Sequence, residues 1–533
     1  MKTQGLETLG LMVDMSRNAV MNPETLKKTY MPLMKKMGYN CLMLYTEDTY
    51  EVEGEPYFGY MRGRYTMAEL RDLDECAASL GIELIPCIQT LAHLDALVRW
   101  KQVPFDKDNI LLVDDERTYE FIENLIRSVR KCFRTNRIHI GMDEAWMLGR
   151  GKYLEKHGYV PAHEVIGRHL SKVNEIVKKY GFEAMIWSDM FFYPIPPAGE
   201  YYRPKIKMPR EAVAALPADV IPVYWDYYHT AEADYDAMLC NHEQLSDKTW
   251  FAGAFWTGRG FLPCLEQTLI TMRPALDACR KHNVKNIIFT TWGDNGAECS
   301  RYAVLPVMYA LAEYAGGNTD EEKIKKGFEK LIGISFDDFM APDGVVRAFR
   351  GSTEKGPGVK PALYSDYFNG HMDALLLPEY PETVRKTAVK LHAVARSSRK
   401  WGYLFDSAAR LCDVLELKYD LGGRTRAAYK AGDKEELRRL AVEVYPEVAR
   451  RVAVFAKAFE KQWYKENKTA GFDVQEIRLG GLIYRTDSCR RRLLDYVNGR
   501  IDRIEELETE LLPLAPQRAA FYFHANCATP NRL

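Results

Sequence analysis

Short apolar runs alternate with amphipathic stretches over roughly the first 310 residues of the 533-residue chain. The runs at 10–17, 40–48, 82–89, 137–144, 183–190, 220–228, 249–256 and 286–294 are rich in β-branched, aliphatic and aromatic residues and read as strands. Between them, segments such as "PETLKKTYMPLMKKMG" and "MAELRDLDECAASLG" repeat their apolar positions with the helical period, and the second stops at Gly81. Eight strand–helix units in this length predict an α/β fold, a (β/α)8 TIM barrel, rather than an open doubly wound sheet. No strand is followed by a Gly-rich phosphate loop, which argues against a nucleotide-binding fold.

The barrel reading makes the strand ends legible, because chemistry in this fold sits at the C-terminal face. Those ends read Asp14, "YTED", "CIQTLAH", "GMDEAW", "IWSDM", "YWDYYH", "AFWTGR" and "TTWGDN". Trp187, Trp225, Trp256 and Trp292 close four successive strands, four of the nine tryptophans in the chain. Beyond about residue 340 the texture changes. "PGVKPALYSDYFNG" reads as loop and short helices, and from Pro381 onward the patterns are helical with alternating surface charges. The predicted division is a catalytic barrel over 1–335 and a helical domain over 336–533. For the helical domain a packing or dimerisation role, as in a homodimer, is as open as a catalytic one.

Composition narrows the function classes. Lys and Arg number 73 against 74 Asp and Glu, so there is no electrostatic pull toward nucleic acid or an anionic membrane. Glu7 and Asp14 interrupt the N-terminal apolar stretch, no run is long enough to span a bilayer, and the eleven scattered cysteines form no CxxC pair. A reduced cytoplasm is the expected compartment.

The sharpest feature is "RIHIGMDEAW", where Asp143 and Glu144 stand side by side at the end of an apolar run. Buried together, two carboxylates repel unless one is protonated or both have partners. Gly141 just before them loosens the backbone. Aromatics interleaved with acids at a barrel mouth suit a sugar, whose C–H faces pack on rings while its hydroxyls need acceptors.

"HIGMDE" resembles the His-x-Gly-x-Asp-Glu signature of glycoside hydrolase family 20, the β-N-acetylhexosaminidases. "LMVDMSR", "LIPCIQTLAH", "MIWSDMF", "YW" and "TTWGD" resemble the family's first, third, fifth, sixth and eighth strands, in order. The resemblance implies a retaining, substrate-assisted mechanism on terminal β-linked GlcNAc or GalNAc, in which the sugar's 2-acetamido carbonyl forms an oxazolinium ion. It implies Glu144 as general acid and then base. Asp143 would orient the acetamide, and its anion would raise the Glu144 pKa. Trp187, Trp225, Trp256 and Trp292 would line the sugar pocket. Tyr227 would donate to the acetamide oxygen, with Tyr224 and Tyr228 as competitors, and Asp294 would take sugar hydroxyls. His93 and His139 would support the acids. No cofactor and no metal is implied, and the partner would be a small oligosaccharide.

Three departures stand out. Leu9 occupies the position before Gly10 where the family carries an Arg that grips sugar hydroxyls, so Arg17 or Arg62 is the expected substitute. Gln89 stands where an Asp is common, and Met142 where a second Gly is usual. The α/β domain that often precedes the barrel is expected to be missing. Three rival readings compete. A glycosidase on non-acetamido sugars would need a carboxylate nucleophile, Asp189 or Asp226. A metal-dependent hydrolase would use His139, Asp143 and Glu144, although no His-x-His opens the first strand. A carbohydrate-binding barrel without turnover would not need both acids.

Overall fold

The computed structural model describes residues 5–197, 199–351, 358–514 and 523–531. Its chain divides into two compact units. The first comprises 1–255, 268–292 and 308–319; the second comprises 256–267, 293–307 and 320–533.

The first unit is a closed parallel barrel in sequential strand order. Its strands are β1 (Thr8–Asp14), β2 (Cys41–Glu47), β3 (Glu83–Ile88), β4 (Arg137–His139), β5 (Glu183–Trp187), β6 (Ile221–Trp225), β7 (Trp250–Ala254) and β8 (Asn286–Thr291). All eight expected strands are present, and each stops short of its expected C-terminal end. The largest overshoot is at β4, which ends at His139, so Asp143 and Glu144 stand in a loop rather than on a strand. The cause is local: Gly141 and Met142 take φ of 73° and 71°, outside the extended region a pleat requires.

Alternate side chains of the strands point inward, as a parallel barrel demands. Met12, Met43, Tyr45, Ile85, Cys87, Met185, Trp187, Val223, Ala252 and Ile288 fill the interior. Gly10 belongs to this packing, since a Cβ there would lie 2.8 Å from Ile288 Cγ2. The outer helices include α1 (Met67–Ser79), α2 (Glu116–Arg130) and α3 (Ala162–Lys179). A reciprocal capping box between Thr66 and Glu69 starts α1. In α2 the side chains of Phe121, Ile122, Leu125, Ile126 and Val129 form one buried stripe.

The second unit is built mainly from α4 (Tyr380–Ser397), α5 (Gly402–Lys418), α6 (Tyr445–Glu466) and α7 (Phe472–Val497), each packed against the next. On α7 the buried residues Leu479, Leu482, Thr486, Cys489 and Leu493 recur with helical period along one face. Parts of the expected helical domain at 352–357, 515–522 and 532–533 lie outside the described residues. All eleven cysteines are free. Among the described residues, no helix is long and apolar enough to cross a membrane.

Candidate active site

The loop after β4 re-aims two consecutive carboxylates. Gly141, Met142 and Glu144 all sit in the left-handed region, the last at φ 52°. Two of these are not glycines, and such strain persists where surrounding contacts over-determine it. Here those contacts are explicit. Gln89, just past β3, accepts the Met142 amide through Oε1 at 3.2 Å and donates from Nε2 to Asp143 Oδ1 at 2.8 Å. The Glu144 amide donates to Asp189 Oδ2 at 2.9 Å. Gly141 is required for this interlock, because a Cβ would stand 2.1 Å from Gln89 Oε1.

Charge is organised around Asp143, which is 8% exposed. His93 Nε2 lies 3.1 Å from Asp143 Oδ2 and 3.6 Å from Glu144 Oε2. Burial alone would strip the His93 proton, but the close negative charge of Asp143, with Glu47 beyond, raises its pKa to about 9. Burial likewise pushes Asp143 up, and the facing imidazolium together with the Gln89 amide overrides it, holding Asp143 below the ordinary carboxylate range. Asp189 goes the other way. Complete burial and the Asp143 charge drive it well above the usual carboxylate range, against the Glu144 amide and the Trp225 indole, which both donate to it. Of three neighbouring acids, one is held below the ordinary carboxylate range and one is pushed above it. Glu144 is the most open of them, with 37% of its side chain exposed.

The expected supporting histidines divide. His93 meets the acids directly, at φ 58°. His139 does not: its Nδ1 accepts the Gly141 amide at 3.1 Å and its ring lies 4.3 Å from that of Trp187. Burial lowers its pKa to about 3, so it is a neutral prop for the loop.

Among the expected sugar-contacting aromatics, Trp187 is 1% exposed and belongs to the barrel core, so it forms a floor rather than an open face. Trp225 and Trp292 pack against that core while remaining partly open. Tyr227 stacks beside Trp225 with centroids 5.8 Å apart and planes at 30°. Tyr224 points away from it, buried, donating its hydroxyl to Asp226 at 2.7 Å. β6 ends at Trp225, so Tyr227 lies beyond the strand and its place beside Trp225 is set by the loop that follows rather than by strand alternation.

Arg17 follows β1 and is drawn to β2, with Nη2 2.8 Å from Glu47 Oε1. Arg62 binds Asp48, Asn18 Oδ1 and the Ser16 carbonyl. Trp256 and Asp294 belong to the second unit. There the Trp256 amide carbonyl accepts from Cys264, and Asp294 Oδ2 would lie 2.4 Å from a Cβ on Gly258.

Reading the sequence missed a hydrogen-bonded chain behind Asp143. Gln89 Nε2 also donates to the Tyr45 hydroxyl at 3.0 Å, and Tyr45 donates to Glu47 Oε1 at 3.0 Å. Burial pushes Glu47 up to about 7 despite Arg17. A β-bulge between Tyr45 and Glu47 lets the two side chains meet. The quoted "YTED" held both residues, but nothing in it announces a bulge.

Two groups among the described residues bring potential metal ligands together: His93, Asp143 and Glu144, and separately Asp236, Cys240 and His282. In the first, His93 Nε2 stands 3.1 Å from Asp143 Oδ2 and 3.6 Å from Glu144 Oε2. In the second, both His282 nitrogens are already 2.7 Å from carboxylate oxygens, of Asp236 and Glu243.

Two family models match the chain. One, described as the glycosyl hydrolase family 20 catalytic domain, covers residues 10–245. The other, described as the glycoside hydrolase 20C C-terminal domain, covers 337–524. Human hexosaminidase D is 23% identical over 340 residues, 57% of this chain and 65% of that protein. A β-hexosaminidase of Vibrio furnissii is 27% identical over 147 residues, 24% of each chain. Among solved structures, an exo β-N-acetylglucosaminidase of Vibrio harveyi aligns at TM-score 0.44 and 18% identity, covering 61% of this chain and 58% of that one. A β-N-acetylhexosaminidase of Bacteroides fragilis aligns at 0.46 and 18%, covering 61% and 70%. The chain spans just under two thirds of human hexosaminidase D. With a catalytic-domain match over most of the barrel and a C-terminal match over the helical unit, this chain belongs to glycoside hydrolase family 20.

Proposed function

We propose that this protein is an exo-acting β-N-acetylhexosaminidase, removing terminal β-linked GlcNAc or GalNAc with retention of configuration and with the substrate's acetamide as nucleophile. The observation that carries this reading is the unequal state of the acids around one loop. Asp143 is held anionic by His93 and Gln89, as a group that orients an acetamide N–H and offsets developing positive charge must be. Its two oxygens retain acceptor capacity beyond the bonds they already make. Glu144, more open and aimed differently by its left-handed backbone, gives its proton to the leaving oxygen and then takes one from water.

The rival carboxylate nucleophiles fit poorly. Asp189 is fully buried, raised in pKa, and engaged by the Glu144 amide and the Trp225 indole. Asp226 is fully buried among the Tyr224 hydroxyl, the Tyr228 amide and His229. An attacking group must be ionised and must reach the anomeric carbon. With neither acid suited, the sugar's own acetamide fills that role.

The test is release of nitrophenol from matched β-glycosides of GlcNAc, GalNAc and glucose, with EDTA in one arm. Cleavage of the N-acetyl sugars alone, indifferent to EDTA, is the expected result. Cleavage of the glucoside at a comparable rate would return the reaction to a carboxylate nucleophile, and loss of activity in EDTA would return it to a metal.

A further inference from the structure

Two residues past Glu144 the chain leaves a tryptophan in the open. Trp146 is 60% exposed, the largest side chain among the exposed apolar residues. Its amide donates to the Glu144 carbonyl at 2.9 Å, so the indole and the acid share one turn of backbone. An open tryptophan forgoes much of the burial free energy that its size would otherwise contribute.

The indole is nonetheless fixed along one side. The Tyr193 ring lies 5.6 Å away at 58°. Tyr193 stacks on Tyr201 at 6.5 Å and 27°, and Tyr201 lies 4.7 Å from Trp225. An aromatic wall thus runs from Trp225, beside the proposed sugar pocket, past the acids to the solvent, ending at Trp146. The Tyr193 amide donates to the Asp189 carbonyl at 3.1 Å and the Glu144 amide donates to Asp189 Oδ2 at 2.9 Å, so Asp189 ties the middle of this wall to the loop that carries the acid.

We propose that Trp146 is the stacking platform for the sugar on the leaving-group side of the scissile bond. The preferred substrate is then an N-acetylhexosamine β-linked to a second pyranose, rather than to a small alkyl group. This rests on the glycosidase reading above. A general acid protonates the oxygen joining the terminal sugar to the remainder, so the remainder lies on the outward side of Glu144. A flat apolar surface there matches the C–H face of a pyranose ring. Tyr193 keeps the indole from collapsing over the acid.

The experiment compares kcat/KM for a disaccharide, GlcNAc β-linked to a hexose, with that for methyl β-GlcNAc. Both need the proton from Glu144, but the methyl group is too small to reach the indole. Trp146→Ala is expected to lower the disaccharide-to-methyl ratio about ten-fold, chiefly through KM, and Trp146→Phe to restore most of it. Trp146→Leu, which keeps apolar bulk without a flat face, gives the same readout where the alanine variant loses its fold. Equal losses on both substrates would reduce Trp146 to a prop for Glu144, and an unchanged ratio would leave it no part in recognition. Either result overturns the proposal while the glycosidase reading stands. A wild-type protein that cleaves neither substrate would sink both.

Discussion

Replacing His93 by Gln removes the positive charge beside Asp143 while keeping a hydrogen-bond donor. Two routes bound the size of the effect. Unit charges 3.1 Å apart attract by about 5 kcal/mol at an effective dielectric near 20. The rise of His93 from 6.5 to about 9, which already includes the opposing cost of burial, corresponds to about 3 kcal/mol. The second figure is net and is the better guide. A folded-state pKa above the unfolded one stabilises the protein fully below pH 6.5, and that contribution fades as pH rises through 9. Asp143, lowered in the folded state, contributes above its unfolded pKa and loses that contribution as pH falls. Both statements describe one interaction, counted once. The melting-temperature gap between wild type and variant should therefore be widest between about pH 4.5 and 6.5 and should close by about pH 10. With its cation gone, Asp143 will hold its proton to higher pH, so the acid limb of kcat/KM against pH should move upward. Differential scanning calorimetry and a pH–rate series read these out. Superimposable rate profiles, or a melting gap of the same size at pH 6 and pH 10, would refute the reasoning.

Four further outcomes follow from the same contacts. Glu144→Gln should reduce kcat by at least about 10²-fold, the scale of losing a general acid, with the fold unchanged by circular dichroism. Asp143→Asn should lower kcat; a change confined to KM would make it a binding group only. Asp189→Asn should retain most of kcat, because the native side chain is fully buried and occupied by the Glu144 amide and the Trp225 indole; a loss as deep as that of Glu144→Gln would point to Asp189 as nucleophile. Gly141→Ala puts a Cβ against Gln89 at a left-handed backbone position, which costs about 1–2 kcal/mol for the conformation alone and more for displacing Gln89. A chemical denaturation midpoint equal to wild type would show that the interlock with Gln89 is not required.

Much of the fold could be read from the chain because its signal is periodic. Eight apolar runs separated by amphipathic segments leave few architectures, and a parallel barrel buries such strands on both faces. The strand ends were less legible. The apolar pattern of Ile138 and Ile140 continues past the last ladder bond of β4, and only the dihedral angles at Gly141 and Met142 reveal that the pleat has ended. Within the first unit, residues whose type carries chemistry were visible: the Asp143–Glu144 pair, His93, Trp187, Trp225 and Trp292. Their division of labour was not, since it depends on distances between loops. Nothing in the spacing says that His93 rather than His139 meets Asp143, that Trp187 is a buried floor, or that Gln89 locks the catalytic turn. Gln89 shows the point well. The sequence marks it only as a departure from an expected Asp, whereas in place it supplies a neutral donor that steadies the Asp143 anion.

The central claim is that the acetamide carbonyl attacks the anomeric carbon, and the most direct measurement varies that carbonyl alone. Aryl β-glycosides of glucosamine carrying N-acetyl, N-fluoroacetyl, N-difluoroacetyl and N-trifluoroacetyl groups differ in the nucleophilicity of that oxygen and little in size. Acetamide participation predicts a steep, monotonic fall in kcat along the series, with Glu144 and Asp143 intact throughout. A kcat indifferent to fluorination would contradict it and return the search to a carboxylate on the enzyme.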